Sequence, residues 1–182
     1  NTAVGYAAGG DITTGVRNTL IGGLAGDALT DGNDNIAIGY QALTADTQGD
    51  NSVAIGNNAL FSQNGTNGDV YNVAIGKNAG FAVTTGIRNI IMGGLAGDAL
   101  TDADFNIGIG YQSLTADTKG SKSTAVGYRT LANQNFSTST DSHNTAIGND
   151  AGLSVTTGVR NTLIGSRTGD AFTDADYNVA LG

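Results

Sequence analysis

Eleven glycines punctuate this sequence, and the intervals between them run 17, 17, 17, 20, 17, 17, 17, 21, 17 and 17. Each closes a pentapeptide of one pattern: Asn or Ser, a β-branched residue, a small or aliphatic residue, an aliphatic residue, then Gly. The first copy is Asn1-Thr2-Ala3-Val4-Gly5 and the last is Asn178 to Gly182. A fixed period this short specifies a solenoid, in which each repeat contacts only its neighbours. The sequence therefore predicts one repeat array over 1–182, numbered below from the Asn or Ser that opens each coil.

A longer period lies over the short one. Three 17-residue coils are followed by a long one (52–71), and the set begins again at 72, with its long coil at 123–143. The blocks are 1–71, 72–143 and a partial 144–182. Gly22 to Asp31 returns unchanged as Gly93 to Asp102, which points to duplication of a four-coil unit. The array opens on position 1 and stops on position 5. The expectation is a segment of a longer fibre, with caps, anchor and export signal outside it.

Side-chain alternation places positions 2 and 4 on one face of a strand and position 3 on the other. Position 2 is always Thr, Val or Ile, and position 4 always Val, Ile, Leu or Met. Position 3 is Ala, Gly, Leu or Ile. No charged residue occurs at any of the three, so the strand reads as covered on both sides, as in a parallel sheet. One cover is the interior of its own coil; the other is expected from a neighbouring chain. The expected fold is all-β, a parallel β-solenoid with 17-residue coils as its usual unit, intertwined or side by side in a homotrimer. Thr at position 13 of every complete 17-residue coil suggests a second short strand near positions 11–14.

The structural ladder residues are Gly5, Gly22, Gly39, Gly56, Gly76, Gly93, Gly110, Gly127, Gly148 and Gly165, with Asn18, Asn35, Asn72, Asn89, Asn106, Asn144 and Asn161. Gly at position 5 serves a positive φ or a close backbone approach. A column of Asn can hydrogen-bond from coil to coil. Arg17, Arg88 and Arg160 recur in the first coil of each block, and Asp27, Asp98 and Asp170 in the second; stacking is expected to bring them within reach.

Composition excludes several functions. The chain has 29 Gly, no Pro, no Cys and a formal charge of −8, and all sixteen acidic residues are Asp. Nucleic acid and anionic lipid are disfavoured as partners, because both call for clustered Lys and Arg. No apolar run is long enough to span a bilayer. The single His143 and the absence of Cys leave no metal or nucleophile constellation, so neither an enzyme nor a cofactor is expected. Asp31-Gly32-Asn33-Asp34, Asp102-Ala103-Asp104 and Asp174-Ala175-Asp176 offer oxygens at calcium-like density but without a calcium-loop spacing; the expectation is turn chemistry, with calcium binding as the alternative. Binding is expected in the irregular stretches of the long coils, at Phe61, Asn64, Tyr71, Asn135, Phe136 and His143. The triplets Asn64-Gly65-Thr66 and Asn135-Phe136-Ser137 are glycosylation patterns there, which turn chemistry also explains.

Ser52-Val53-Ala54-Ile55-Gly56 and Asn144-Thr145-Ala146-Ile147-Gly148 resemble the head repeats of trimeric autotransporter adhesins, whose signature is Ser/Asn-x-Ala-Ile-Gly. The 17-residue form with Tyr at position 6 and Ala-Leu at 8 and 9, as in Gly39-Tyr40-Gln41-Ala42-Leu43, is similar to repeats of phage tail fibres and related bacterial surface fibres. The resemblance implies a left-handed β-roll, three chains about one axis, an extracellular or virion location, and a role as fibre shaft or adhesin head meeting a cell-surface glycan or protein receptor. The adhesin heads use a shorter coil. The alternative from the residues alone is a single-chain ice-binding β-solenoid, which would use the Thr row at position 13.

Overall fold

The computed structural model describes residues 1–65 and 68–182. The pentapeptides form eleven parallel strands in one sheet: Thr2–Val4, Thr19–Ile21, Ile36–Ile38, Val53–Ile55, Val73–Ile75, Ile90–Met92, Ile107–Ile109, Thr124–Val126, Thr145–Ile147, Thr162–Ile164 and Val179–Leu181. Each pairs in sequence order with the strand of the next coil, in unshifted register; Ala37 faces Ala54 and Ala54 faces Ala74. The chain is an all-β parallel solenoid, as the period requires.

Position 1 closes each coil and ties it to the next. Asn35 Nδ2 donates to Gly49 O at 2.7 Å, fourteen residues on, while its Oδ1 accepts the N–H of Ser52 in the following coil at 2.9 Å. Asn18 and Asn106 make the same pair of bonds, to Gly32 and Asn35 and to Gly120 and Ser123. These amides are buried. Each therefore satisfies backbone groups that water cannot reach.

Both reasons for Gly at position 5 hold at once. Gly39 has φ +135°, and a Cβ there would sit 2.5 Å from Gly56 O of the next coil. Three further positions per complete coil adopt left-handed backbone, and position 9 is Gly in some coils and Leu in others. Gln41, Leu43 and Asn51 in coil three have φ of 54°, 55° and 62°.

Position 3 points inward and is buried, from Leu20 to Leu163. Positions 9 and 12 share the remaining interior and exchange bulk. Where position 9 is Gly, position 12 is an apolar residue (Leu29, Leu100); where position 9 is Leu, position 12 is Asp, after Leu43 and Leu114, or Gln, after Leu60 and Leu131. A Cβ on Gly26 would meet Leu20 at 2.8 Å and Leu29 at 2.9 Å, so only one of the two positions can carry the volume. In the coil beginning at Asn106, Gly108 stands at position 3, and Ser113 takes the place of the usual Ala at position 8. The apolar core divides at that coil, into a cluster running from Leu20 to Ala103 and another from Leu114 to Leu163.

Two expectations are corrected. There is no second strand at positions 11–14 among the described residues. The Thr row is held instead by single bonds, such as Thr30 N–H to Thr47 O at 2.9 Å, within turns too tight for a strand. The other strands are pairs at the long coils, Gly49–Asp50 with Gly68–Asp69 and Gly120–Ser121 with Thr140–Asp141. The Arg17, Arg88 and Arg160 column also misses Asp27, Asp98 and Asp170, because positions 17 and 10 lie on different sides of the coil. Arg17 pairs with Asp34, Arg88 lies over Phe105 and Arg160 over Tyr177. Asp27 and Asp98 accept from Thr44 and Thr115, and Asp170 lies beside Arg167.

Asn35→Ala leaves Gly49 O and the Ser52 N–H without partners and is expected to cost about 2–4 kcal/mol, from about 1–3 for each orphaned buried group. Gly39→Ala, which forces one backbone onto another, is expected to cost at least as much. Urea denaturation checks both, and an exposed substitution such as Thr14→Ala is expected to stay within about 0.5 kcal/mol of the parent.

Candidate binding surfaces

The long coils differ from the rest at position 1, where Ser52 and Ser123 replace Asn. A serine cannot reach the carbonyl fourteen residues on, so these coils lack the tie that closes the others. The extra residues are accommodated there. Gly65 N–H still donates to Asp46 within the stack, and pairing resumes at Gly68. In the second block Phe136 N–H faces Asp117, and pairing resumes at Thr140.

A buried polar cluster stands beside the serine. Asp46 Oδ1 accepts the N–H of Gly49 at 2.9 Å and of Gly65 at 3.1 Å, and its Oδ2 accepts Gln63 Nε2 at 2.6 Å. Gln63 also donates to Ser52 Oγ, and its Oε1 accepts Asn72 Nδ2, both at 2.9 Å. Asp117, Gln134, Ser123 and Asn144 repeat the arrangement one block later, with Ser142 added beside Ser123. Burial pushes the carboxyl groups of Asp46 and Asp117 above the usual range, against the pull of these hydrogen bonds. Sequence reasoning missed the cluster. Its signal was the joint change of position 1 to Ser and position 12 to Gln, one coil after an Asp at position 12.

The residues expected to make contacts separate into two groups. Asn64, Tyr71, Asn135 and His143 are exposed. Phe136 is only 6% exposed and packs over Gly120, so it fills the stack and is not a contact residue. Phe61 is half-buried and stacks on Phe81, with ring centroids 4.9 Å apart. Of the Asn64-Gly65-Thr66 pattern, Thr66 lies outside the described residues.

The Asp clusters serve the turns. Asp31, Asp102 and Asp174 each accept the hydroxyl of the preceding Thr. Asp104 and Asp176 accept the N–H groups of Ile87 and Val159 in the coil before, at 2.8 and 2.7 Å. Among the described residues no group of three His, Cys or Asp gathers to hold a metal ion. The Thr13 row is likewise engaged: Thr30 and Thr101 donate their hydroxyls to Thr47 O and Thr118 O at 3.0 Å. Each of these hydroxyls has one proton, shared between that carbonyl and the carboxylate of the adjacent Asp.

Two outward surfaces remain. The first is the outer face of the sheet, where positions 2 and 4 stand at the surface; Ile21, Ile36, Ile90, Ile147 and Ile164 are each 38–40% exposed. The expected double cover is thus half present, because a single chain covers position 3 alone. The second is a set of rows on either side of that face, at positions 6 and 17. Tyr111 stacks on Tyr128 at 5.8 Å in the former, and Arg129 lies over Tyr128. Its hydrogen bond to Asp150 holds the Asp150 carboxyl below the ordinary range. No helix is long and apolar enough to cross a membrane among the described residues. Comparison with family models, curated proteins and solved structures yields no match.

The direction of the Asp46 and Asp117 shifts sets a pH dependence. A carboxyl whose pKa rises on folding takes up a proton on folding. Its contribution is complete below the unfolded value, about 4, and is lost as pH rises through the folded value. The urea midpoint of the protein relative to the non-titrating Asp46→Asn, Asp117→Asn variant is therefore expected to fall as pH is raised from about 4 to 7. The exposed pairs of Arg17 with Asp34 and Lys122 with Asp141 are common to both proteins and cancel in the difference.

Proposed function

We propose that this chain is a segment of an extracellular or virion surface fibre, a stiff spacer that associates as a homotrimer through the outer face of its sheet. The observation that carries the reading is the aliphatic stripe at position 4, which runs without a polar interruption from Val4 to Leu181. Its members are half-buried or exposed in the single chain. A continuous apolar face of this length is unusual for a chain that stays alone in water. Identical stripes from identical chains are complementary by symmetry, and burial of such a face is favourable at roughly 25 cal/mol per Å².

Stiffness follows from the ladder. Eleven coils at about 4.8 Å each make a rod of roughly 50 Å, held by backbone bonds along its whole length. The described residues form no pocket, and the reading assigns them no catalytic step or cofactor. A cell-surface glycan or protein receptor is the proposed partner, met by exposed residues of the long coils and their flanking rows, Tyr71 and His143 among them. The ice-binding alternative is weaker, since the Thr row spends its hydroxyl protons within the stack.

Native mass spectrometry of the segment tests the reading. A trimer is expected. Ile38→Asp with Ile55→Asp, both facing outward, is expected to give a monomer that keeps the parent's circular dichroism. A folded monomer of the unmodified chain would overturn the proposal.

A further inference from the structure

The last residue of each complete coil, position 17 in the regular coils and Tyr71 or His143 in the long ones, has left-handed backbone throughout, with φ between 51° at His143 and 63° at Lys122. This conformation turns the side chain out of the stack, two residues before the first outward position of the strand. From the end of the first block onward the row reads Tyr71, Arg88, Phe105, Lys122, His143, Arg160, Tyr177, and all seven are exposed. Ring and cation alternate without exception. With Arg17, the row holds four of the chain's eight Lys and Arg and its only His, in a protein of formal charge −8.

The start of the same row shows a neutral solution. Arg17 is followed by Asp34, and the two form a bidentate pair at 2.6 Å. From Tyr71 on, aromatic rings occupy the place that Asp34 takes. Arg88 lies 5.6 Å from the centroid of Phe105, and Arg160 lies 5.3 Å from that of Tyr177. The rings orient the guanidinium groups without neutralising them. Neither arginine has a carboxylate partner among the described residues. Lys122 does, at Asp141, where the lysine side chain remains 40% exposed. Asp104 and Asp176, beside the row, are committed to backbone N–H groups.

We infer that this row is a docking strip for a linear, sparsely charged carboxylated polysaccharide. The cations stand on alternate coils, so their spacing is about 10 Å, and Arg88 and Arg160 are roughly 19 Å apart. One strand of nucleic acid carries a charge every 3.4 Å or so, a density the strip could not match within a net-negative protein. A polysaccharide with one carboxylate for every two sugar rings has the lower density required. Phe105 and His143, between successive cations, offer ring surface to the apolar faces of the intervening sugars. The inference goes beyond the fibre reading in naming a class of ligand and its residues, and it does not depend on the number of associated chains.

The test is calorimetric titration of the folded segment with hyaluronan oligosaccharides, which carry one carboxylate per disaccharide, and with their carboxyl-reduced form. Binding is expected for the first and not for the second, and it is expected to weaken with added salt. Arg88→Gln with Arg160→Gln is expected to weaken it about tenfold, two exposed charge contacts at up to about 0.7 kcal/mol each. Lys119→Gln with Arg167→Gln, at positions 14 and 7 and outside both rows, is expected to leave it unchanged. Circular dichroism of each variant confirms folding. Equal affinity for the reduced oligosaccharide, no effect of the Arg88 and Arg160 changes, absence of binding, or tighter binding of a single-stranded DNA of equal length would overturn the inference. Native mass on the same samples keeps the two proposals apart. A trimer that does not bind removes the strip alone, and a monomer that binds removes the fibre reading alone.

Discussion

The hydrogen bond between a position 1 amide and the backbone of its own and the next coil is the constraint on which the solenoid depends. A 17-residue coil has too little interior for a conventional core. Its buried backbone groups must find partners in a cross-section occupied by a few Ala and Leu side chains. Asn35 bonds to Gly49 O and to the Ser52 N–H, and no apolar side chain could do either. The coil length is tied to that reach. Asn closes a loop to the carbonyl fourteen residues on, and every coil that keeps this tie to its neighbours in full has the short, regular length. The two longer coils begin with Ser52 and Ser123.

The same geometry explains the polar clusters as substitutes and not as a site. Where Ser stands at position 1, Gln63 reaches its Oγ and the Asn72 amide, and Asp46 accepts the backbone N–H groups of Gly49 and Gly65. The carboxylate is costly to bury, as its raised pKa shows, but three hydrogen bonds meet it. Because the cluster joins position 12 of the third coil to position 12 and position 1 of the fourth, it fits only that order of coils. A block shifted by one coil would bury Asp46 against Leu or Val. The four-coil period is thus a requirement for matched interiors, and duplication has preserved the order of coils.

The outward groups stand apart from these inward ones. The interior fixes positions 1, 3, 5, 8, 9 and 12. Positions 2, 4, 6 and 17 are free of it, and they are where aliphatic, aromatic and cationic residues collect. An aliphatic stripe flanked by aromatic and cationic rows has the make-up of an interface core with its rim. That make-up is the common ground of the fibre proposal and the docking strip.

The sequence by itself determined the solenoid, its coil boundaries, the parallel sheet and the identity of the ladder residues. Each of these follows from periodicity, and a period acts through neighbours that are identical by construction. Gly39 and Asn35 could be assigned from their columns because every coil poses the same local problem. What the columns could not convey was the direction of a side chain on the far side of the coil. Only the tertiary structure separated the Arg column from Asp27 and Asp98, placed Phe136 inside the stack, and replaced the expected second strand by turns. It alone joined Asp46, Gln63, Ser52 and Asn72, four residue types that no motif connects and that meet only because two coils of unequal length lie on one another. Local repetition is written in the chain. The contacts made where repetition fails depend on how the chain closes in space.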